Sequence, residues 1–356
     1  MAANPEDRGK LRDGLWIKRT SSVYSPAQIS RWLSKIQYPG DIPSFQPSLD
    51  SLCLLVRLSL TTFPFENTPL HYTAAHDMDI TYEGLYKRLV ETQGGNGFYC
   101  FGVNGLLFQM LKGLGFRVYT GSGRINEQAP GVTPIFHAFV HMILFVQPIE
   151  GSNTTYLVDV GSTLVRPILL AEGETVMGAS TSEQHTLTRD ARTDSSLESS
   201  PNSQTPQKFE WRLESVQAKD QAKSTRVMYS FIEDEFFEAD FKASNEGIVG
   251  LTSGFFWENI VCTKYFWMDD SEVREVDEAI DTAALTPLTR YMGRLVMAGD
   301  AVRRHIGTRT TVLRAMKTDE ERAEALKEFF DIDIPQENLM HIQGRGAELK
   351  VRINRD

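Results

Sequence analysis

A single cysteine, Cys100, follows a glycine-rich segment and begins an apolar run with helical spacing. Three glycines lie within residues 94–97, and apolar residues recur three or four positions apart from Val103 to Leu114. We therefore predict that the thiol lies in the first turn of a helix, where free N–H groups and the helix dipole favour the thiolate. This placement makes Cys100 a candidate nucleophile. The alternative is that its thiol only fills space in the core.

His141 and Asp159 could supply the base that a cysteine nucleophile requires. His141 begins an apolar run, and Asp159 lies among β-forming residues at 156–160, where an acidic side chain is costly unless it is hydrogen-bonded. Turn-forming residues at 148–155 predict a hairpin in which Asp159 reaches a ring nitrogen of His141. Asp159 would then fix the histidine tautomer, His141 would accept the proton, and Cys100 would attack.

Each of these residues also has a structural interpretation. An interior histidine can be satisfied by hydrogen bonds alone, and an aspartate at a strand end can bind backbone N–H groups. His137, four residues before His141, is the main rival for the base. Glu66, in an aromatic turn, is either a site carboxylate or a group that bonds to its own turn.

Composition limits the functional class. The 356 residues predict two or three packed units, and 41% hydrophobic with 24% charged residues is typical of a globular protein. The formal charge of −10 argues against nucleic acid as a main partner. Three widely spaced cysteines indicate neither a disulfide framework nor a cysteine zinc site, and we expect no metal. No stretch approaches the roughly 18 apolar residues of a membrane span, so we expect no membrane contact and a cytoplasmic location.

Local patterns predict helices before residue 116 and β-strands after it. The predicted strands are 116–119, 138–146, 156–160, 165–170, 209–213, 226–231 and 259–267. They favour an antiparallel sandwich or barrel. Residues 173–208 are rich in Ser, Thr, Gln and Pro, which predicts a flexible insertion. The last ninety residues again predict helices, with apolar periodicity at 295–302 and a capping box that begins at Thr318.

These motifs, taken in order, resemble the arylamine N-acetyltransferase family. The matching segments are Pro64-Phe65-Glu66-Asn67, residues 96–104 around Cys100, His141-Met142-Ile143-Leu144, Asp159-Val160-Gly161, Asp240-Phe241, Asn245, 256–262 and 317–332. The likeness extends over most of residues 25–332, apart from the 173–208 insertion. It also favours His141 over His137 as the base, because the family motif falls on His141.

The resemblance implies an α+β fold with a papain- or transglutaminase-like Cys-His-Asp arrangement. It implies a helical domain with the nucleophilic cysteine at 1–116 and a β-barrel domain with the histidine and the aspartate at 117–265. An α/β lid domain is implied at 266–356. Thr252 and Ser253, which lie just before the matching segment 256–262, are the coenzyme contacts that the resemblance implies.

The same resemblance implies a CoA-dependent N-acyltransferase that works by ping-pong catalysis. Cys100 would attack the thioester of acetyl-CoA, free CoA would leave, and the acetyl group would pass to an arylamine, arylhydrazine or heterocyclic amine. Such chemistry belongs to xenobiotic metabolism. Two other hypotheses remain open: an amide hydrolase or transamidase that uses Cys, His and Asp without CoA, and a catalytically silent binding protein.

The sequence departs from the family motifs at several positions. Asn96 replaces the motif arginine, and Gly102 replaces a residue that is commonly Glu or Gln. Ser162 and Thr163 follow Gly161 where the family commonly has Phe and Gly. The loss of a bulky Phe predicts more room or more polarity near the acyl group, so propionyl-CoA and malonyl-CoA are alternatives to acetyl-CoA.

Overall fold

The structure is a computed structural model that describes residues 8–197, 209–219 and 222–349. Its α-helices are α1 Pro26–Lys35, α2 Leu49–Thr62, α3 Pro69–Tyr72, α4 Tyr82–Tyr86, α5 Cys100–Gly113, α6 Glu238–Val249, α7 Phe255–Glu258, α8 Asp270–Val276 and α9 Asp319–Phe330. A π-helical segment at Lys87–Glu91 follows α4, and short 3-10 helices lie at Arg12–Gly14, Thr282–Ala284 and Gln336–Ile342.

The strands form two antiparallel sheets. They are β1 Phe65–Glu66, β2 Arg117–Asn126, β3 Phe136–Gln147, β4 Tyr156–Val158, β5 Ile168–Leu169, β6 Thr175–Met177, β7 Glu183–Ala191, β8 Phe209–Lys219, β9 Ala222–Phe231, β10 Val261–Trp267, β11 Met292–Ala298, β12 Ala301–Ile306 and β13 Arg309–Ala315. One sheet has the order β5-β4-β3-β2-β9-β8-β7-β6, and the other has the order β1-β10-β11-β12-β13. Together with the helices they make an α+β fold, which confirms that prediction.

The helices that precede the barrel begin where the sequence offers caps. Ser25 accepts a hydrogen bond from the backbone of Gln28, and Pro26 occupies the first helical position of α1. Ser48 and Ser51 form the same kind of reciprocal cap for α2. These caps satisfy N–H groups that have no partner within the helix, so the helices begin at defined residues, and α1 packs against α5.

The eight-stranded sheet curls into a nearly closed barrel, and alternate residues of its strands face two different cores. Along β3, Ile143 and Phe145 point into the barrel interior, whereas Met142 and Leu144 point outward to the helices. The β3–β4 hairpin brings Leu144 opposite Val158, as the sequence predicted from the intervening turn. The register therefore carries one end of this hairpin to the N-terminus of α5.

The five-stranded sheet differs from the sequence prediction in two ways. The strand predicted at 259–267 belongs to this sheet, because β10 pairs with β1 and β11 rather than with the barrel strands. The apolar residues at 295–302, expected to be helical, form the β11–β12 hairpin instead. Gly299 adopts a positive φ of 69° in the turn between these strands, a conformation that ends both a helix and a strand.

Part of the predicted insertion is a regular element of the barrel. β7 pairs with β8 along its whole length, and Leu187 lies in the barrel core. The polar composition of residues 173–197 conceals these strands because only alternate side chains face the interior. Residues 198–208 lie outside the described residues. The domain limits at 1–116, 117–265 and 266–356 stay a prediction.

No helix of the described chain has the length and apolarity of a membrane span.

Candidate active site

Cys100 is the first residue of α5, as the glycine-rich segment predicted. The preceding residue, Tyr99, has an extended backbone and provides no side-chain cap, so the N-terminus of this helix is free to act on the thiol. The Cys100 Sγ lies 3.7 Å from the carbonyl oxygen of Val140 on β3 and is only 3% exposed. The thiol is therefore buried at the junction of α5 and the barrel.

His141 and Asp159 meet across the β3–β4 hairpin. His141 Nε2 lies 2.7 Å from Asp159 Oδ2, and both side chains are almost completely buried. The register places Asp159 diagonally opposite His141 on one face of the sheet, within reach of a long side chain. The Cys100 sulfur is close enough to the imidazole to interact with it, and Nδ1 is the ring nitrogen that Asp159 leaves free. The structure thus brings the three residues together.

Their charges depend on one another. Burial by itself would lower the pKa of His141, but the Asp159 carboxylate and the neighbouring Cys100 sulfur raise it to about 10. Burial would also raise the pKa of Asp159, but the imidazolium and hydrogen bonds from Asn104 and Ser162 keep it below its usual value. A cationic imidazole next to the sulfur is the environment in which cysteine nucleophiles react as thiolates.

Asn104 connects α5 to the hairpin, a role that sequence reasoning did not assign. Its side chain donates to the Met142 carbonyl at 2.8 Å and to Asp159 Oδ1 at 2.9 Å, and it accepts from the Val160 N–H at 2.9 Å. Asn104 follows Cys100 by four residues and so lies on the same face of the helix. A buried amide at this spacing in an apolar helix was the signal that could have identified it.

Tyr229 and the polar residues that follow Gly161 complete the surroundings of His141 and Asp159. The Tyr229 ring packs against the His141 imidazole with 4.9 Å between the ring centroids, and its buried hydroxyl lies beside Asp159. Burial and the Asp159 charge raise the pKa of Tyr229 well above its usual value, so this hydroxyl stays protonated. Thr163 bonds to His185 Nε2 at 2.9 Å. Ser162, at the position where the family commonly has a Phe, bonds to Asp159, so this part of the site is polar.

Gly161 contacts Cys100 through its backbone. A Cβ atom at this position would lie 2.8 Å from Cys100 Cα and 2.9 Å from Cys100 Cβ. We expect Gly161→Ala to displace the thiol and to lower kcat/KM about 10- to 100-fold, because small errors in alignment at a reacting group are costly. Gly247→Ala is the matched control, since a Cβ there meets nothing within 4 Å and alanine favours the interior of α6. Wild-type activity of Gly161→Ala in a steady-state assay would contradict this close contact.

The other candidate site residues, His137 and Glu66, make contacts that are structural. His137 is exposed and pairs with Glu127 at 2.6 Å. Glu66 is fully buried, accepts from the Thr68 N–H at 2.6 Å and pairs with Arg88 at 2.6 Å. Arg88 also donates to the Gly97 carbonyl at 2.8 Å, so it holds the glycine-rich segment although the motif arginine is replaced by Asn96.

Thr252 and Ser253 lie in an exposed segment between α6 and α7. Phe256, which follows this segment in α7, packs against the Tyr99 ring with 5.9 Å between centroids. The two hydroxyls are thus close in sequence to an aromatic residue that contacts the neighbour of Cys100. Their role as coenzyme contacts stays a prediction. Within the described part of the chain, no three His, Cys, Asp or Glu side chains group as a metal site.

Comparison with known proteins identifies relatives over most of the chain. A family model described as N-acetyltransferase matches residues 48–270. The N-malonyltransferase FDB2 of Fusarium pseudograminearum is 25% identical over 348 residues, which cover 91% of this chain and 93% of that protein. The arylamine N-acetyltransferase of Mycolicibacterium smegmatis is 36% identical over 132 residues, which cover 36% of this chain and 46% of that protein.

Solved structures show the same fold. The arylamine N-acetyltransferase from M. tuberculosis superposes with a TM-score of 0.65 at 22% identity, over 88% of this chain and 99% of that chain. The Mycobacterium marinum arylamine N-acetyltransferase in complex with CoA superposes with a TM-score of 0.61 at 23% identity, over 90% of this chain and 96% of that chain.

Proposed function

This chain belongs to the arylamine N-acetyltransferase family, and from that premise we propose that it moves an acyl group from acyl-CoA to an aromatic amine through a thioester on Cys100. Arylhydrazines and heterocyclic amines are acceptors of the same chemistry. The observation that carries this proposal is the buried hydrogen bond between His141 and Asp159, next to the buried sulfur of Cys100. The protein is a transferase, and the proposal concerns its donor, its acceptor and its mechanism.

The first half-reaction follows from this geometry. Cys100, as the thiolate, attacks the carbonyl carbon of the acyl-CoA thioester, and the C–S bond to CoA breaks as the new C–S bond forms. His141 holds the proton of the thiol and returns it to the departing CoA sulfur. One thioester replaces another, so the step needs little driving force. Burial of Cys100 keeps water from the acyl-enzyme, which would otherwise hydrolyse.

The second half-reaction uses the same residues in the opposite direction. The amine nitrogen attacks the acyl-Cys100 carbonyl, and His141 accepts the amine proton as the amide forms. The sulfur of Cys100 leaves as a thiolate stabilised by the imidazolium, which restores the starting state. Asp159 keeps the imidazole oriented throughout.

The donor is either acetyl-CoA or a larger acyl-CoA such as propionyl- or malonyl-CoA. The Fusarium relative is named an N-malonyltransferase, which supports malonyl-CoA as a donor, and Arg124 is the candidate partner for the malonyl carboxylate. The Arg124 guanidinium lies 3.7 Å above the Phe139 ring, next to Val140, whose carbonyl contacts the thiol. Arg124 forms a long ion pair with Glu210, 3.8 Å from its Nε, and this buried nitrogen has no hydrogen-bond acceptor among the described residues.

Intact-protein mass spectrometry tests the proposal. We expect one acyl adduct on the wild type, and none on Cys100→Ala, after brief incubation with acetyl-, propionyl- or malonyl-CoA without acceptor. If Arg124 binds the malonyl carboxylate, Arg124→Met should reduce malonylation about 10-fold or more and leave acetylation unchanged. Arg117→Met is a matched control on the same strand, because Arg117 bonds to Gln147 and the 148–155 loop instead. No adduct with any donor would overturn the proposed reaction.

A further inference from the structure

Two arginines from distant parts of the chain meet beneath the loop that leads into β11. Arg57 lies on α2 and is fully buried, and Arg166 lies in the segment between β4 and β5. Arg57 Nε donates to the Pro287 carbonyl at 2.7 Å, and its Nη2 donates to the Arg290 carbonyl. Arg166 Nη1 donates to the Leu288 carbonyl at 2.6 Å. The two side chains therefore fasten one loop from two sides.

Each guanidinium keeps one buried donor without an acceptor. Arg57 Nη1 and Arg166 Nε have no hydrogen-bond partner among the described residues, although both atoms are shielded from solvent. Neither arginine forms an ion pair within the described chain, whereas most of the other buried or half-buried arginines there do. Buried N–H groups are rarely left unpaired, and buried cations are normally neutralised by an anion.

The surrounding groups do not supply that anion. The Trp267 ring lies 5.0 Å from the Arg57 guanidinium carbon, which gives a cation–π contact but no negative charge. Cys53 lies one turn before Arg57 on the same face of α2, and burial raises the pKa of its thiol despite the two arginines. Asp50, a further turn away, is exposed. Burial and the charge of Arg166 lower the pKa of Arg57 to about 9.

We propose that Arg57 and Arg166 form a binding site for a single halide-sized inorganic anion, chloride in a physiological solution. The anion would accept from Arg57 Nη1 and Arg166 Nε, the two donors that have no partner in the described part of the chain. Cys53 and Arg166 are only partly buried, which gives a small ion a route from solvent. The bound ion would hold α2 against the loop before β11 and so stabilise the contact between the helices and the five-stranded sheet. This inference does not depend on the proposed acyl transfer.

Crystals of the full chain soaked in sodium bromide test the position directly. Data collected at the bromine edge should show an anomalous peak within hydrogen-bonding distance of Arg57 Nη1 and Arg166 Nε. Crystals of the Arg166→Met variant, soaked in the same way, should lack the peak. Arg166 is the residue to replace, because it is half-buried, whereas loss of the fully buried Arg57 could prevent folding.

Thermal unfolding tests whether the ion stabilises the protein. At equal ionic strength, the wild type should melt about 2 °C or more higher in sodium chloride than in sodium gluconate, whose anion is too large to enter. Arg166→Met should lose this difference. Arg304→Met is the matched control and should keep it, because Arg304 also lies over an aromatic ring, Phe266, but pairs with Glu272.

The absence of the bromide peak would overturn the proposal, and rapid alkylation of Cys53 by iodoacetamide near pH 7 would then identify its thiolate as the neutralising charge. A peak without an Arg166-dependent change in melting temperature would mark an adventitious ion only, and it would overturn the proposal as well.

Discussion

Replacement of Cys100 by alanine is expected to lower kcat/KM by about 10³-fold or more and to abolish the acyl adduct. The reason is that no other described group can form the thioester at the N-terminus of α5, where Cys100 faces the Val140 carbonyl and the His141 ring. Cys100→Ser should be almost as inactive, because a hydroxyl is far less acidic than a thiol and stays protonated beside the imidazole.

Steady-state kinetics with an arylamine acceptor, together with thermal unfolding, measure this effect. Cys53→Ser is the matched control, since Cys53 is a partly buried thiol on α2 that does not contact the triad. It should retain the wild-type rate. If folded Cys100→Ala kept a tenth of the wild-type activity, another group would have to be the nucleophile.

Asp159→Asn is expected to lower kcat about 10²- to 10⁴-fold while the protein still folds. Asp159 Oδ1 accepts hydrogen bonds from Asn104 Nδ2 and from the Gly161 N–H at 2.8 Å, so the amide oxygen of the variant will take that place. Its NH2 group then faces His141 Nε2, which must become an acceptor. The ring proton then moves to Nδ1, the only nitrogen left for the thiol, so the imidazole can no longer accept the proton of Cys100.

The same substitution should change how stability depends on pH. The pKa of His141 is raised to about 10, so its pairing with Asp159 stabilises the fold fully below the unfolded pKa of about 6.5. This stabilisation is lost as the pH rises from about 6.5 through about 10. In Asp159→Asn, burial remains without the compensating carboxylate, so the pKa of His141 falls and the loss of stability over this range disappears.

Urea unfolding at pH 6.5, 8 and 9.5 measures this difference in the free energy of unfolding. Asp319→Asn is the control, because Asp319 pairs with Arg322 and Tyr72 far from the thiol and should lose stability without a change in kcat. An unchanged kcat in Asp159→Asn, or equal pH slopes in wild type and variant, would contradict the assigned role of Asp159.

Local sequence patterns determined much of the candidate site. The apolar period after Cys100 and the glycines before it predicted a helix that begins at that residue, and α5 does begin there. The turn at 148–155 predicted the hairpin that pairs β3 with β4. Such patterns suffice because helix caps, turns and hairpins are set by residues close together in the chain.

Long-range pairing could not be predicted in the same way. The strand at 259–267 has the composition of a barrel strand, and only its pairing with β1 and β11 assigns it to the other sheet. β7 could not be recognised from the sequence either, because it is rich in polar residues. Only one face of this strand is buried, and such a strand shows only half of its hydrophobic character in sequence. Periodicity within one strand contains no information about its partner.

The sequence by itself determined the chemical groups of the candidate site: a thiol at a helix N-terminus, and an imidazole and a carboxylate on one hairpin. Only the tertiary structure decided how they are held, through Asn104 between α5 and β4 and through Gly161 against Cys100. It also decided that Arg57 and Arg166 hold the same loop, each with one buried donor that has no partner among the described residues. The physical reason is that burial, hydrogen-bond geometry and charge pairing depend on residues far apart in the chain, whose distances no local pattern encodes.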